Sequence, residues 1–355
     1  MNITKIDPNF AVKDAEAGLH WYDAERLTVE GKGWADTAAF YDRLPARAKG
    51  VVPDPVWSLS QHSAGLCARF ASDSPVIAAR WKLRFESLAM HHMPSTGVSG
   101  LDLYVRHRGK WRWAANGIPA AFPLSSSTLL GGIGKRLRHY QLYLPLYNGV
   151  ERVEIGIAPE AMLAAAAPRP ERKPIVFYGT SIVQGGCASR PGMAHPSILG
   201  RWLDRPVINL GFSGNGRMEI AMADLLGEVD ASAYVLDCLP NMVDSQVDER
   251  FVPFIERLRA ARPATPIVLV ENIEYQNGFI VADRAARTRS SNAAQRRAME
   301  ALAARGIKGL HLVPNARLLG SDGEATVDGT HFTDVGYLRM AKCLKPALAP
   351  LLTGG

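Results

Sequence analysis

Five short apolar runs in the second half of the chain constrain its fold more than any other feature. They are "IVFY" (175–178), "PVINL" (206–210), "AYVLDCL" (233–239), "PIVLVE" (266–271) and "LHLV" (310–313). Each is nearly continuous in apolar residues, where a strand with one wet face would alternate. Such a strand needs cover on both faces, the condition of a parallel sheet inside an α/β layer. The stretches between the runs read as helices, notably 247–261 ("VDERFVPFIERLRAA") and 283–306 ("DRAARTRSSNAAQRRAMEALAARG"). Strand and helix alternate, which predicts a doubly wound parallel sheet over residues 175–355.

The first 160 residues follow another rule. They hold six of the seven tryptophans and several runs that alternate apolar with polar, such as "PVIAARWKLRF" (75–85), "GLDLYVRHRGKWRWAA" (100–115), "RHYQLYLPLY" (138–147) and "VERVEIGIA" (150–158). Period two marks half-buried antiparallel strands. With Gly, Pro and Asn between the runs, residues 1–160 read as an all-β, jelly-roll-like sandwich. Residues 161–174, rich in Ala, Pro and charge, read as a linker. At 355 residues the chain is long enough for two hydrophobic cores.

Composition removes several function classes. No apolar run reaches the ~18 residues of a membrane-spanning helix, so no membrane partner is expected. The start, "MNITKIDPNF", lacks the apolar core of a signal peptide, which points to the cytoplasm. Net charge is +7, but the Lys and Arg are dispersed. The densest patch, "GKRLRH" (134–139), carries no nucleic-acid motif, and no nucleic-acid partner is expected. Cys67, Cys187, Cys238 and Cys343 are far apart and indicate neither a zinc site nor a disulfide framework. His91 and His92, if on a strand, face opposite ways and make no metal pair. A homo-oligomer is compatible with the sequence.

In an open parallel sheet, ligands gather beyond the carboxyl ends of the strands. Gly179-Thr180-Ser181 follows the first run, "GFSGNG" (211–216) the second and Pro240-Asn241 the third, while a later loop carries Asp328-Gly329-Thr330-His331. These residue types fit acyl transfer. A serine hydroxyl attacks a carbonyl once a base takes its proton, and a neutral histidine does that. The imidazole needs a carboxylate at its other nitrogen, and Asp328 stands three residues before His331, within reach across a tight turn. The oxyanion needs fixed N–H donors. The backbone N–H groups of Ser181 and Gly214 and the side-chain amide of Asn241 offer three. A glycine at 214 lets the backbone approach closely.

With "GTSIVQGG", "NLGFSGNG", "LDCLPNM" and "VDGTHFT" in that order, residues 174–352 resemble the SGNH hydrolases, the GDSL-type esterase superfamily. The resemblance implies a flavodoxin-like sheet and a serine esterase that works through an acyl-enzyme, with no cofactor and no metal. It implies Ser181 as nucleophile, Asp328 and His331 as its partners in a triad, and Ser181, Gly214 and Asn241 as the oxyanion hole. Two blocks depart from the usual pattern. Gly-Asp-Ser reads Gly179-Thr180-Ser181, and Gly-x-Asn-Asp reads Leu239-Pro240-Asn241-Met242. Upstream, Gly100-Leu101-Asp102-Leu103-Tyr104 is similar to the Gly-x-Asp-Leu-Tyr signature of sandwich domains that precede some SGNH hydrolases. The implied substrate is a small-molecule or saccharide ester, with an O-acetyl group on a carbohydrate as the family-level expectation. The same triad would serve an acyltransferase with a bound alcohol acceptor. A carbohydrate-binding protein with an inactive hydrolase half is the alternative from a different class.

Each residue also has a plain structural reading. Ser181 and Asn241 suit helix caps, and Asp328 and Ser213 suit turns. His195 reads as a packing residue, Cys187 and Cys238 as small core residues. Arg190 and Arg217 read equally as ligands for an acidic substrate or as surface arginines. Tyr104, Trp111 and Trp113 read as sugar-stacking rings or as sandwich packing.

Overall fold

The computed structural model describes residues 12–14, 18–169, 171–316 and 318–352. The described residues form two compact units. One comprises those in Met1–Arg43, Gln61–Pro170 and Ser189–Gly192; the other, those in Leu44–Ser60, Glu171–Ala188 and Met193–Gly355. The division read from sequence is contiguous, whereas these units are not.

The first unit is an antiparallel sandwich. Its strands are β1 (Val12–Asp14), β2 (Leu19–Asp23), β3 (Thr28–Glu30), β4 (Cys67–Ser72), β5 (Ile77–Leu83), β6 (Leu101–His107), β7 (Lys110–Gly117), β8 (Leu124–Leu130), β9 (Arg138–Tyr143), β10 (Val150–Ile157) and β11 (Leu163–Ala165). One sheet runs β1-β2-β10-β5-β8 and the other β11-β4-β9-β6-β7, with β3 on β4. The alternation of apolar residues selects the inner face. Phe70 of β4 lies opposite Tyr140 of β9, and their rings stack 5.1 Å apart in the core. Trp81 is fully buried and donates its indole N–H to the Ser99 carbonyl at 3.0 Å. Burying one such side chain contributes roughly 1.5–3 kcal/mol. Leu163–Ala165, inside the run read as a linker, pairs with β4 because Leu163 is fully buried in the same core.

The motif Gly100–Tyr104 has a definite structural task. Asp102, fully buried on β6, accepts from Arg190 and from the backbone N–H of Gly192, both at 2.8 Å. Tyr104 takes a second bond from Arg190 at 2.6 Å, and Thr96 donates to the Ser189 carbonyl at 2.6 Å. These bonds make Ser189–Gly192 part of the first unit although its sequence neighbours belong to the second. Arg190 thus fastens this segment to β6 within the first unit, its guanidinium near the rings of Tyr104 and Trp113. His91 and His92 lie in the turn closed by the Met90–Met93 bridge, with ring centroids 4.5 Å apart. The expectation that they alternate across a strand fails because the backbone is not extended there.

The second unit begins with helix α1 (Asp54–Ser60) and continues with β12 (Ile175–Gly179), α2 (Ser181–Gln184), α3 (His195–Leu203), β13 (Val207–Gly211), α4 (Ile220–Glu228), β14 (Ala233–Asp237), α5 (Asp244–Ala261), β15 (Ile267–Val270), α6 (Ala282–Ala304), β16 (Leu310–Val313) and α7 (Asp334–Leu348). The sheet order is β13-β12-β14-β15-β16, all parallel. Successive strand residues point to opposite faces, and β12 shows that both are covered. Phe177 meets the His195 ring of α3 edge-on at 5.6 Å, while Tyr178 stacks on Phe254 of α5, also at 5.6 Å. Every residue of β12 is buried, the reason its sequence reads as a continuous apolar run. No helix among the described residues is long and apolar enough to cross a membrane.

Candidate active site

β12 delivers Ser181. The strand ends at Gly179, and Thr180 caps α2 by accepting from the Ile182 N–H at 3.3 Å. The cap position therefore belongs to Thr180, and Ser181 is the first helical residue with its hydroxyl available for another bond. That bond joins Ser181 Oγ to His331 Nε2 at 2.8 Å. Ser181 is 5% exposed, so the serine is held from below by a strand buried along its length.

His331 and Asp328 are brought together by a closed turn. Val327 N–H donates to the His331 carbonyl at 2.8 Å and Thr333 N–H to the Ala325 carbonyl at 2.9 Å. Phe332, fully buried, anchors the turn, and Thr333 caps α7. Asp328 Oδ2 lies 2.7 Å from His331 Nδ1, while Oδ1 accepts from the backbone N–H groups of Thr330 (2.9 Å) and His331 (2.8 Å). Asp328 is thus the turn former and the histidine's partner at once. Partial burial works against its carboxylate, but the bonds from the His331 ring and the two backbone N–H groups outweigh it and hold the pKa down to about 2. Cys187 behaves oppositely. Burial, then the Asp328 charge, pushes its thiol up to about 12, so it is no rival nucleophile near neutral pH.

Gly214 and Asn241 sit after β13 and β14. At Gly214 the reason for glycine differs from close approach. A Cβ there would meet nothing within 4 Å, whereas φ is +69°, a left-handed conformation that side chains disfavour. Close packing falls on Gly216, whose added Cβ would lie 2.1 Å from the Gly179 carbonyl oxygen. Asn241 ends a short 3-10 turn and does not cap α5, which begins at Asp244. Its amide donates to the Asn215 carbonyl at 2.8 Å. An amide has two N–H groups, so this bond orients the group with one hydrogen still to give.

The profile of the GDSL-like Lipase/Acylhydrolase family matches residues 172–349. That of the N-terminus of SGNH-hydrolase-type esterases matches residues 19–163. A GDSL-like lipase from Bacteroides ovatus superposes with a TM-score of 0.90 at 35% identity, over 94% of this chain and 98% of that one. The chain belongs to the GDSL-like lipase/acylhydrolase family. The salicylyl-acyltransferase SsfX3 of a tetracycline biosynthetic pathway shares the fold at 18% identity (TM-score 0.74, 95% of this chain, 98% of that one). So does a family two carbohydrate esterase from Clostridium thermocellum, in complex with cellohexaose, at 13% identity (TM-score 0.56, 81% and 92%). No curated protein sequence matches.

In this GDSL-family serine esterase, residues outside the four blocks stitch them together. Gln184, fully buried on α2, accepts from the Ser213 N–H at 2.9 Å, tying the glycine turn to the serine helix. Ser213 is therefore a turn residue engaged through its backbone. Arg217 donates to the Gly214 carbonyl at 2.8 Å, which fixes the peptide beyond it. The loop after β15 reaches the Asp328 turn. Gln276 N–H donates to the Gly329 carbonyl at 3.1 Å, and its side-chain oxygen accepts from the Thr326 N–H and hydroxyl at 2.8 and 2.7 Å. That loop also lines a cavity of about 620 Å3 with Thr288, Arg289 and Asn292, to which Ser181 and His331 do not contribute. No spacing rule singles out Gln184 or Gln276, since both act on neighbours far away in sequence. His195 and Asp237 are fully buried without hydrogen-bond partners among the described residues. Burial pushes the imidazole down to about 3 and the carboxyl up to about 7. His195 packs on Phe177 and Tyr337.

Proposed function

We propose that the protein hydrolyses a small acyl ester, with an O-acetyl group on a carbohydrate as its substrate class, through an acyl-enzyme on Ser181. The observation that carries this is the hydrogen-bonded chain from Ser181 Oγ through His331 to Asp328, with links of 2.8 and 2.7 Å. Asp328, ionised throughout the neutral range, accepts the Nδ1 proton of His331 and leaves Nε2 as the base that faces the hydroxyl. Ser181 attacks the ester carbonyl as its proton passes to Nε2. The negative oxygen that forms is met by the backbone N–H groups of Ser181 and Gly214 and by the second amide hydrogen of Asn241. The imidazolium then gives its proton to the leaving alcohol. Water, deprotonated by the same nitrogen, attacks the acyl carbon and frees Ser181. The carbohydrate assignment draws support from the fold shared with a carbohydrate esterase.

The test is reaction with a fluorophosphonate probe, followed by a panel of p-nitrophenyl esters of rising chain length and O-acetylated sugars. Stoichiometric labelling that Ser181→Ala abolishes, with turnover fastest on acetyl esters, is the expected result. Labelling that survives in Ser181→Ala and disappears in Ser213→Ala would mean the wrong serine. Product formation that depends on an added alcohol would replace hydrolysis by acyl transfer.

A further inference from the structure

The outer face of the six-stranded sheet in the first unit carries a groove of about 390 Å3. It is lined by Arg69, Arg106, Trp111, His139, Ala166 and Arg169. Cys67, Tyr104, Tyr143 and Trp111 pack as a small cluster on that face, away from the core. Period two then places Arg69, two residues after Cys67, Arg106, two after Tyr104, and His139, four before Tyr143, on the same side. Val105 pairs with Tyr140, so Arg106 and His139 are neighbours across the strands. Arg106 lies opposite Trp111, its guanidinium 5.8 Å from the ring centroid.

Every charged side chain among the described lining residues is basic. Arg69 and Arg169 both pair with Glu30, which stands beside the groove. No described carboxylate pairs with Arg106, and none of the described lining residues is acidic. His139 closes the basic run 134–139, so the densest basic patch in the sequence borders a shaped cavity.

We propose that this groove binds an acidic saccharide, a sugar bearing carboxylate or sulfate. A guanidinium fork donates two parallel bonds to such a group. The Trp111 indole offers an apolar surface to the C–H face of a sugar ring, and His139 supplies a ring nitrogen for hydroxyls. A nucleic-acid strand would need a longer basic track with aromatic platforms in series. Phe70 and Tyr140 also border the groove, but their rings are stacked in the core, which leaves Trp111. This proposal is independent of the esterase reading, because it concerns binding alone.

Calorimetric titration of Ser181→Ala protein tests it without any turnover of the probe. Trigalacturonate and a sulfated trisaccharide are compared with neutral galactotriose, inorganic sulfate and a single-stranded oligonucleotide. At least one acidic trisaccharide should bind saturably, and Arg106→Ala should weaken it by about tenfold or more, the loss of a charge-assisted contact. Arg106→Lys should recover part of that loss, and His139→Ala should weaken binding less. Arg106 and His139 are exposed, and an unchanged melting temperature verifies each variant. Four outcomes overturn the proposal: no binding of either acidic trisaccharide, equal binding of galactotriose or of sulfate, equal or tighter binding of the oligonucleotide, or binding that Arg106→Ala leaves intact.

Discussion

Asp328 grips His331 twice, with Oδ2 on ring Nδ1 at 2.7 Å and Oδ1 on the backbone N–H at 2.8 Å. The same side chain therefore sets where the histidine sits and which nitrogen faces Ser181. The two functions separate by substitution. In Asp328→Asn the amide oxygen can still accept the backbone N–H groups, so the turn and the melting temperature should be kept. The amide NH2 then faces Nδ1 and forces the proton to Nε2, where it blocks base action. We expect kcat to fall on the order of 10³–10⁴, as for the matching change in chymotrypsin-type triads. Asp328→Ala should lose the activity and also lower the melting temperature, because the turn loses its two backbone contacts. Equal melting temperatures for the two variants would show that the turn does not depend on Oδ1.

Asn241→Ala should lower kcat by roughly 10²–10³ with little change in KM, the usual effect of losing one oxyanion donor. The bond from Asn241 to the Asn215 carbonyl is lost as well, so a small drop in stability should accompany it. An increase confined to KM would assign Asn241 to substrate positioning.

The two left-handed glycines of the turn after β13 should differ sharply. Gly214→Ala meets open space and bears only the cost of its conformation, roughly 1–2 kcal/mol. Gly216→Ala bears that cost and also drives a methyl group into the Gly179 carbonyl oxygen, which moves the end of β12. Denaturant unfolding should show the second change to be far more damaging. Comparable losses would mean that the turn can shift as a body.

His195 and Asp237 should shape the pH dependence of stability from opposite sides. His195 titrates at about 3 in the folded protein and near 6.5 when unfolded. The stability tied to its neutral form is full above ~6.5 and is lost as pH falls toward 3. Asp237 titrates at about 7 folded and near 3.9 unfolded. The folded state keeps that proton, so stability declines as pH rises from ~4 to 7, by on the order of 4 kcal/mol. Asp237→Asn should therefore raise the melting temperature at about pH 8 and change little near pH 4. His195→Phe should flatten the acid side. Profiles that keep both slopes in these variants would place the titrating groups elsewhere.

The sheet and the meeting of Ser181, His331 and Asp328 were readable because their signals are local. A strand buried on both faces must be apolar throughout, and a serine beyond its end has no role in a core. The Asp328–His331 spacing likewise reflects one tight turn. What stayed hidden depends on distant pairs. Gln184 meets Ser213, and Gln276 meets Thr326 and Gly329, through contacts that no periodicity records. Gly214 was read for close approach, yet the crowded position is Gly216, since only the folded turn shows which glycine faces Gly179. That Ser189–Gly192 groups with the first unit was not legible, because Asp102 and Tyr104, which hold it, lie more than eighty residues away.

Ser181 and His331 are 150 positions apart, and the strand that carries Ser181 lies between β13 and β14, both later in the chain. Parallel neighbours cannot pair until the crossover between them has closed, so such sheets assemble through slow, long-range encounters. A nascent chain can hold Ser181 without the imidazole that bonds its hydroxyl until α7 and the turn before it have emerged. Under the proposed mechanism the hydroxyl is consequently a reporter of completion. On refolding, probe labelling should trail the return of helical signal, and truncation before His331 should leave a serine that is chemically silent.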